Sequence, residues 1–252
     1  MTEVLKEWSR PHYAGNGGDA FLFYVVFGAP PSDFAISQSK YNFSGIPSGL
    51  KIVSYNKLEH SDSIDGFRDG YLWDELQKSD PNLARHISNA ENCTLIQGII
   101  SDPHDLNYFR NVVGLIQWLL DNGSIGVYDP QSFDWWGAEK WRNEAFDQVA
   151  GAPRHHVKIL TSVEGSYEWL HTRGLRKFGR PDISIHNVGA EHRAAVIELI
   201  NRFIEYQAFG GVISEGQTIR MAGLPDGMTC HHGGDLDDPD FNNFHVEIIW
   251  PN

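Results

Sequence analysis

Apolar residues follow two different periods along this chain, and each period predicts one kind of element. Short apolar and β-branched runs bounded by Gly, Pro, Asn or Asp are typical of strands, whereas apolar positions three and four apart predict helices. Strands are predicted at 21–27, 50–55, 94–100, 124–128, 157–160, 167–171, 182–185, 218–221 and 245–250. Helices are predicted at 67–78, 81–90, 102–121 and 196–206. This alternation favours an α+β fold in which a mixed or antiparallel sheet carries helices mainly on one face.

The longest helical pattern begins at Asp102-Pro103. Asp is a favourable N-cap and Pro suits the first helical position, so the helix is predicted to start there. Its apolar stripe predicts core side chains, and Asn122-Gly123 ends the pattern. The stripe consists of Leu106, Phe109, Val112, Val113, Ile116, Leu119 and Leu120. With the strands predicted on either side, this helix forms a βαβ-like unit.

The chain shows no internal repeat, and residues 147–154 form the best candidate hinge. This hinge divides the chain into an N-terminal α+β lobe, 1–150, and a C-terminal α+β lobe, 151–252. A single domain is the alternative. In the second lobe, one helical stripe is predicted to be buried. It consists of Val196, Leu199, Ile200, Phe203 and Ile204.

Three tryptophans lie close together at Trp135, Trp136 and Trp141. Indole rings offer flat apolar faces that suit ligand stacking, for example on carbohydrate. They also lie beside a short helical pattern that reaches Phe146, and large aromatic side chains commonly fill cores. The pattern therefore favours packing against the core.

The charge of the chain restricts its partners. It has 20 Lys+Arg and 33 Asp+Glu, a net charge of −13 and a pI near 5.3. A field of this sign repels nucleic acid and anionic lipid, so neither nucleic acid nor membrane is expected as a partner. Another protein is the partner class that the composition favours.

Cysteine content and the first residues indicate a compartment. Cys93 and Cys230 are too few for a disulfide framework and lack metal-binding spacing. The first eight residues mix charges of both signs and lack the apolar stretch of a secretory signal. We therefore expect a cytoplasmic protein with reduced thiols.

The C-terminal half carries a series of turn motifs. Thr172-Arg-Gly-Leu and Phe178-Gly-Arg-Pro-Asp182 precede a helix at 191–208, and Gly211-Val-Ile-Ser-Glu-Gly-Gln-Thr218 follows it. With Leu120-Asp-Asn-Gly-Ser-Ile-Gly-Val-Tyr128, these motifs resemble a bacterial domain-of-unknown-function family, number 4261, over residues 94–220. The resemblance implies a bacterial cytoplasmic α+β protein and assigns no catalytic residue. The segment after Met221 lies outside it.

Two clusters carry candidate chemistry, and the first is basic. Arginine offers forked donors to phosphate or carboxylate, and glycine lets a backbone approach an anion closely. The candidate anion-binding residues are His171, Arg173, Arg176, Lys177 and Arg180, with Gly174 and Gly179 between them. In the alternative, which the pattern favours, the glycines shape turns and the basic side chains form structural ion pairs.

The second cluster holds metal-ligand side chains in a Gly-rich segment. Imidazole and carboxylate groups bind divalent cations, although the spacing matches no zinc or EF-hand pattern. The candidate ligands are His231, His232, Asp235, Asp237, Asp238 and His245. Adjacent histidines in a strand point to opposite faces, and His245 returns beside one of them if 229–234 and 244–250 run antiparallel. A solvated turn is the alternative, and the pattern favours it.

No nucleophile elbow, Walker motif or dinucleotide fingerprint is present, so the sequence assigns no catalytic residue. It predicts a non-catalytic binding module, of the kind associated with immunity or stress, that contacts another protein. The alternative is a metal-dependent hydrolase with a divalent cation in the second cluster and an anionic substrate on the first. A concave pocket shared by the two clusters would favour the hydrolase.

Overall fold

The computed structural model describes residues 5–15, 17–31, 33–148 and 150–251. The fold is α+β, as predicted, with one five-stranded and one six-stranded sheet. The chain divides into two compact units. The first contains Leu22–Ile100, Asp105–Ala152 and the residues up to Trp8, and the second contains Ser9–Phe21, Ser101–His104 and the residues from Pro153 onward. The division after Ala152 falls within the predicted hinge, 147–154. The segments Ser9–Phe21 and Ser101–His104 precede this hinge in the chain but belong to the second unit, which a simple two-lobe division does not predict.

The first unit is built on the five-stranded sheet, whose order is β2-β3-β1-β4-β5. Its strands are β1 (Ala20–Phe27), β2 (Leu50–Asn56), β3 (Asn92–Ile100), β4 (Gly126–Asp129) and β5 (Asp134–Gly137). Its helices are α1 (Gln38–Tyr41), α2 (Lys57–Gly66), α3 (Tyr71–Ser79), α4 (Pro81–Ser88), α5 (Asn107–Asp121) and α6 (Ala138–Trp141), and a π-helical turn (Arg142–Phe146) follows. The βαβ-like unit β3-α5-β4 exists, with β1 lying between its two strands.

Helix α5 is the buried helix of this unit, since every side chain from Tyr108 to Leu120 is buried. The predicted stripe is therefore confirmed as core. The predicted start at Asp102 is wrong, because the helix begins at Asn107, where the Asp105 carboxylate accepts a hydrogen bond from the Asn107 backbone N–H at 2.8 Å. The Asp102 carboxylate instead accepts a hydrogen bond from the Tyr13 hydroxyl at 3.0 Å.

The three tryptophans are buried, which confirms their packing role. Trp136 and Trp141 meet edge to face with ring centroids 5.4 Å apart, and the Trp141 Nε1 donates to the Val113 carbonyl. Trp135 stacks on Tyr128 with a centroid separation of 4.3 Å. These contacts fix β4, β5 and α6 against α5.

The second unit is built on the six-stranded sheet, whose order is β6-β7-β8-β11-β10-β9. Its strands are β6 (Lys158–Glu164), β7 (Tyr167–Arg173), β8 (Asp182–Val188), β9 (Thr218–Ile219), β10 (Met228–Gly233) and β11 (His245–Ile249). Its helices are α7 (Pro153–His156) and α8 (Arg193–Ala208), with a 3₁₀ turn at Leu175–Phe178. The sheet is mixed, because β8 and β11 pair in parallel and the other pairs are antiparallel.

Helix α8 contacts β8 and buries most of its predicted stripe. Phe203 was predicted as core and is only half-buried, so that prediction is wrong. The buried residues of α8 are Val196, Leu199, Ile200, Ile204, Gln207 and Ala208, and the side-chain amide of Gln207 donates to the Pro181 carbonyl.

No helix in the described ranges is both long and apolar enough to cross a bilayer.

Candidate functional site

The two faces of the six-stranded sheet differ sharply in chemistry, because alternate residues of a strand point to opposite sides. At the centre of the sheet, the face toward α8 is apolar and fully buried. It is formed by Leu170, Ile183, Ile185, Val246 and Ile248. The opposite face, here called the open face, carries aromatic, histidine and acidic side chains. It is formed by Ser162, Glu164, Tyr167, Trp169, His171, Ser184, His186, Thr229, His231, His245, Glu247 and Ile249.

A stack of three rings lies at the centre of the open face. Trp169 is stacked on His171, with centroids 4.0 Å apart, and on His186 at 4.8 Å. The indole Nε1 donates to the Ser184 hydroxyl at 2.9 Å. Glu164 lies 3.0 Å from the Nδ1 of His186. These contacts fix the central ring of the stack from β8 and its His186 end from β6.

His171 is the buried member of the stack. Its Nδ1 is buried and has no hydrogen-bond partner among the described residues. Burial, reinforced by the positive charge of Arg173, lowers the pKa of His171 to about 4. The ring is therefore neutral at physiological pH.

The outer end of the open face remains accessible to solvent. Tyr167 and Ile249 are 49% and 45% exposed, and Trp169 and His186 are half-buried beside them. We call this set the exposed row. It consists of Glu164, Tyr167, Trp169, His186 and Ile249.

The other end of the open face is covered by the loop 234–244. Phe241 is buried and stacks on His245 with centroids 4.5 Å apart, and it meets His171 edge to face at 5.6 Å. Asn243 donates to the Arg180 carbonyl and to the Asp182 carboxylate at 2.9 and 2.8 Å. This loop therefore closes over the basic segment 171–180.

Asp182 accepts hydrogen bonds from β7, from the 3₁₀ turn and from the loop 234–244. The buried carboxylate accepts hydrogen bonds from the Thr172 hydroxyl at 2.8 Å, from the Leu175 backbone N–H at 3.2 Å and from Asn243. Burial nevertheless raises its pKa to about 6, because the desolvation of the charged form exceeds the stabilisation by these donors.

The basic residues predicted to bind an anion are mostly bonded to backbone carbonyls. Arg173 donates to the Asp240 carbonyl, and Arg176 donates to the Asn242 carbonyl at 2.7 Å. Arg180 donates to the carbonyls of Gly210 and Gly211, both at 2.9 Å. Lys177 is fully buried. These contacts are structural, but their acceptors are backbone carbonyls, whereas the alternative offered by the sequence was ion pairs with neighbouring acids.

The glycines of this segment serve close backbone contacts. Gly174 has a φ of +117°, and a Cβ there would meet the His156 carbonyl at 2.6 Å. Gly179 has a φ of +63°, and the backbone of Gly18 occupies the place of its Cβ. Both positions therefore require glycine for packing of the chain on itself.

The histidine candidates for metal binding lie on β10 and β11, and the aspartate candidates lie in the loop between these strands. Strands β10 and β11 run antiparallel, and the two adjacent histidines point to opposite faces as expected. His231 contacts Glu215 at 2.7 Å on the open face, whereas the Nε2 of His232 lies 2.8 Å from the Ile213 carbonyl. His245 lies 3.7 Å from Asp238.

The aspartates of this segment shape the loop itself. Asp235 accepts the backbone N–H of Asp237, and Asp238 accepts those of Asp240 and Phe241. Across the described ranges, no three His, Cys, Asp or Glu side chains are grouped as a metal site.

The two predicted clusters do meet, since the loop 234–244 lies on the basic segment. The contact is filled by the Phe241 ring and by the hydrogen bonds of Arg173 and Arg176 to loop carbonyls. It is a packed contact.

Sequence reasoning missed the exposed row. Its signal was the alternation Tyr-x-Trp-x-His at 167–171 beside Asp-x-Ser-x-His at 182–186, which places polar and aromatic side chains on one face of two strands.

No family model, no curated protein and no solved structure matches this chain. The resemblance to domain-of-unknown-function family 4261 therefore stays a prediction.

Proposed function

We propose that this chain is a non-catalytic binding module that holds a basic surface of a partner protein on the exposed row. The observation that carries the proposal is the exposure of Tyr167 and Ile249 beside the stacked rings of Trp169 and His186. Tyrosine and tryptophan are enriched at the centres of protein interfaces, because each combines a large apolar surface with a polar group.

The shape of the row supports a protein partner. Its side chains come from the four strands β6, β7, β8 and β11 and stand side by side on a sheet surface. Small-molecule sites are usually concave and enclose most of their ligand. A broad row of this kind matches a protein surface better.

The preorganised stack supports it as well. Trp169 is hydrogen-bonded to the Ser184 hydroxyl, and the His186 ring is hydrogen-bonded to the Glu164 carboxylate. These side chains therefore lose little conformational freedom on binding. Low ordering cost is a general advantage in association.

The charges indicate a basic partner. Glu164 and Glu247 lie on the open face, and Glu215 lies next to it against His231. The chain as a whole has a net charge of −13. Complementary charge speeds encounter and discriminates between partners, so a surface rich in Lys and Arg is the expected contact.

Site-specific photo-crosslinking in bacterial cells tests this proposal. A photoreactive residue replaces Ser162, which is exposed on the open face, and its products are compared in two backgrounds. Tyr167→Ala removes a tyrosine of the exposed row, whereas Tyr71→Ala removes a tyrosine that is 66% exposed in the first unit. We expect a discrete crosslinked partner whose yield falls about fivefold or more with Tyr167→Ala, the size of a moderate interface hot spot, and stays unchanged with Tyr71→Ala.

Equal yields in the two backgrounds would show that the exposed row does not bind a partner. Crosslinked products that survive Ile249→Lys unchanged would contradict the proposal too, because this variant places a positive charge against a basic partner.

A further inference from the structure

The outer edge of β6 is a different surface from the exposed row, although Glu164 belongs to both. β6 lies at the end of the six-stranded sheet and pairs with β7 on one side. From 159 to 163, no backbone hydrogen bond joins its other side to any described residue. An unpaired edge of this kind presents alternating N–H and C=O groups that can pair with another strand.

The side chains of β6 leave that edge accessible. Residues 161–164 are exposed, and Val163 is 80% exposed. Natural proteins usually protect a strand edge with a proline, a bulge, a central charge or a very short strand. Between Lys158 and Glu164, β6 has neither a proline nor a charge, and it pairs with β7 without a register shift over seven residues.

We propose that β6 pairs antiparallel with β6 of a second copy of this chain, with Thr161 facing Thr161 of the second copy on a twofold axis. The two six-stranded sheets would then form one continuous sheet. Their open faces would lie on the same side of it, because residues opposite each other in an antiparallel pair point to the same face.

Strand geometry restricts the registers that such a pair can adopt. Every second residue of β6 points its backbone groups outward, and in an antiparallel ladder outward residues must face outward residues. The twofold axis must therefore pass through a residue, not between two residues. A register centred on the middle residue, Thr161, is the one that pairs the whole strand.

That register is also chemically self-complementary. It places opposite charges at both ends and β-branched apolar residues opposite each other, the arrangements that favour cross-strand pairing. The pairs are Lys158 with Glu164, Ile159 with Val163, Leu160 with Ser162, and Thr161 with itself.

The other long edge strand gives a contrast. β2 lies at the end of the five-stranded sheet and is also seven residues long. Centred on its middle residue, Val53, it would place Lys51 opposite Tyr55 and would join no opposite charges. Strand length and edge position therefore do not by themselves produce the complementarity of β6.

Sedimentation velocity over a concentration series with charge variants tests the proposal. A single pair of strands buries little area, so we expect a weak dimer with a dissociation constant of about 10 µM to 1 mM. Lys158→Glu and Glu164→Lys each create two like-charge pairs and should weaken the dimer at least about fivefold. The double variant Lys158→Glu/Glu164→Lys restores opposite charges and should return the dissociation constant to within about twofold of the parent. Lys51→Glu, the same charge change on β2, is the control and should have no effect.

Engineered cysteines test the register. Thr161→Cys places two thiols opposite each other on the twofold axis, within reach of a disulfide after a small adjustment. Val163→Cys places its thiol opposite Ile159 of the second copy. Under mild oxidation we expect a covalent dimer from Thr161→Cys in large excess over Val163→Cys.

A parent chain that stays monomeric up to about 1 mM, beyond the weak end of specific association, would overturn the proposal. So would a dimer that both single charge variants leave intact, or a double variant that does not recover. Equal crosslinking at 161 and 163 would overturn the register. None of these outcomes depends on a partner at the exposed row, so this test and that of the proposed function fail separately.

Discussion

His171 is a buried histidine that the fold keeps neutral, and this has a consequence for stability. Its pKa is lowered to about 4 in the folded state, first by burial and then by Arg173, against about 6.5 in an unfolded chain. Between these values the unfolded state binds a proton that the folded state does not, so stability is lost as the pH falls from about 6.5 to about 4.

The titration of Asp182 changes the free energy of unfolding with pH in the opposite direction. Burial raises its pKa to about 6, so the unfolded carboxylate releases its proton first and the contribution of this group falls as the pH rises from about 4 to about 6. The two effects overlap in the same pH range, and the pH profile of the parent protein alone does not separate them.

The variant His171→Phe isolates the histidine because it keeps a ring against Trp169 and Phe241 and removes the titrating group. We expect the free energy of unfolding of the variant, relative to the parent, to rise as the pH falls from about 6.5 to about 4, by at most about 3 kcal/mol. Urea denaturation at a series of pH values measures it. His86→Gln, which replaces an exposed histidine in the first unit, is the control and should follow the parent profile. A constant difference between His171→Phe and the parent would contradict the assignment.

At the scale of elements, α5 is the buried helix of the first unit, and its side chains contribute to the free energy of unfolding. Ile116 is fully buried, so Ile116→Ala removes apolar contacts and leaves a cavity, and we expect a loss of about 2–5 kcal/mol in the free energy of unfolding. Ile99→Ala makes the same chemical change at a residue that is 54% exposed and should cost within about 0.5 kcal/mol. Chemical denaturation of both variants checks the pair. A small effect at Ile116 would show that α5 is not the core helix.

Elements with strong periodicity were predictable from sequence, and weakly patterned ones were not. The stripe of α5 and the start of α4 at residue 81 were predicted from the sequence, and the Asp80 carboxylate caps α4 by accepting the Leu83 backbone N–H at 2.9 Å. Helix α2 was missed because Ile64 is its one buried residue. The start of α5 was misplaced because Asp102 is used by Tyr13, a contact far away in sequence.

The site shows the same limit. Local sequence identified the basic and histidine-rich segments. It did not show that the arginines donate hydrogen bonds to backbone carbonyls such as those of Asp240 and Gly211. These partners lie between 31 and 67 residues away along the chain. The exposed row required knowing that β7, β8 and β11 are neighbours, which strand order alone does not reveal.

At the scale of the whole molecule, each compact unit contains one cysteine, so thiol chemistry reports on each unit separately. Cys93 belongs to the first unit and Cys230 to the second, and both are buried free thiols. Burial raises the pKa of each to about 11. The thiolate is the reactive species, so both should be inert until their unit opens.

We therefore expect a thiol reagent such as DTNB at neutral pH to label the native protein at least about 100-fold more slowly than the protein in denaturant, because reaction requires local or global opening. Cys93→Ser and Cys230→Ser assign the two rates to the two units. Since neither thiol is paired, melting curves with and without reductant should coincide. Rapid labelling of one native thiol would show that its unit opens readily or that its burial is wrong. A lower melting temperature in reductant would show that a disulfide contributes to the fold, against the expectation of reduced thiols.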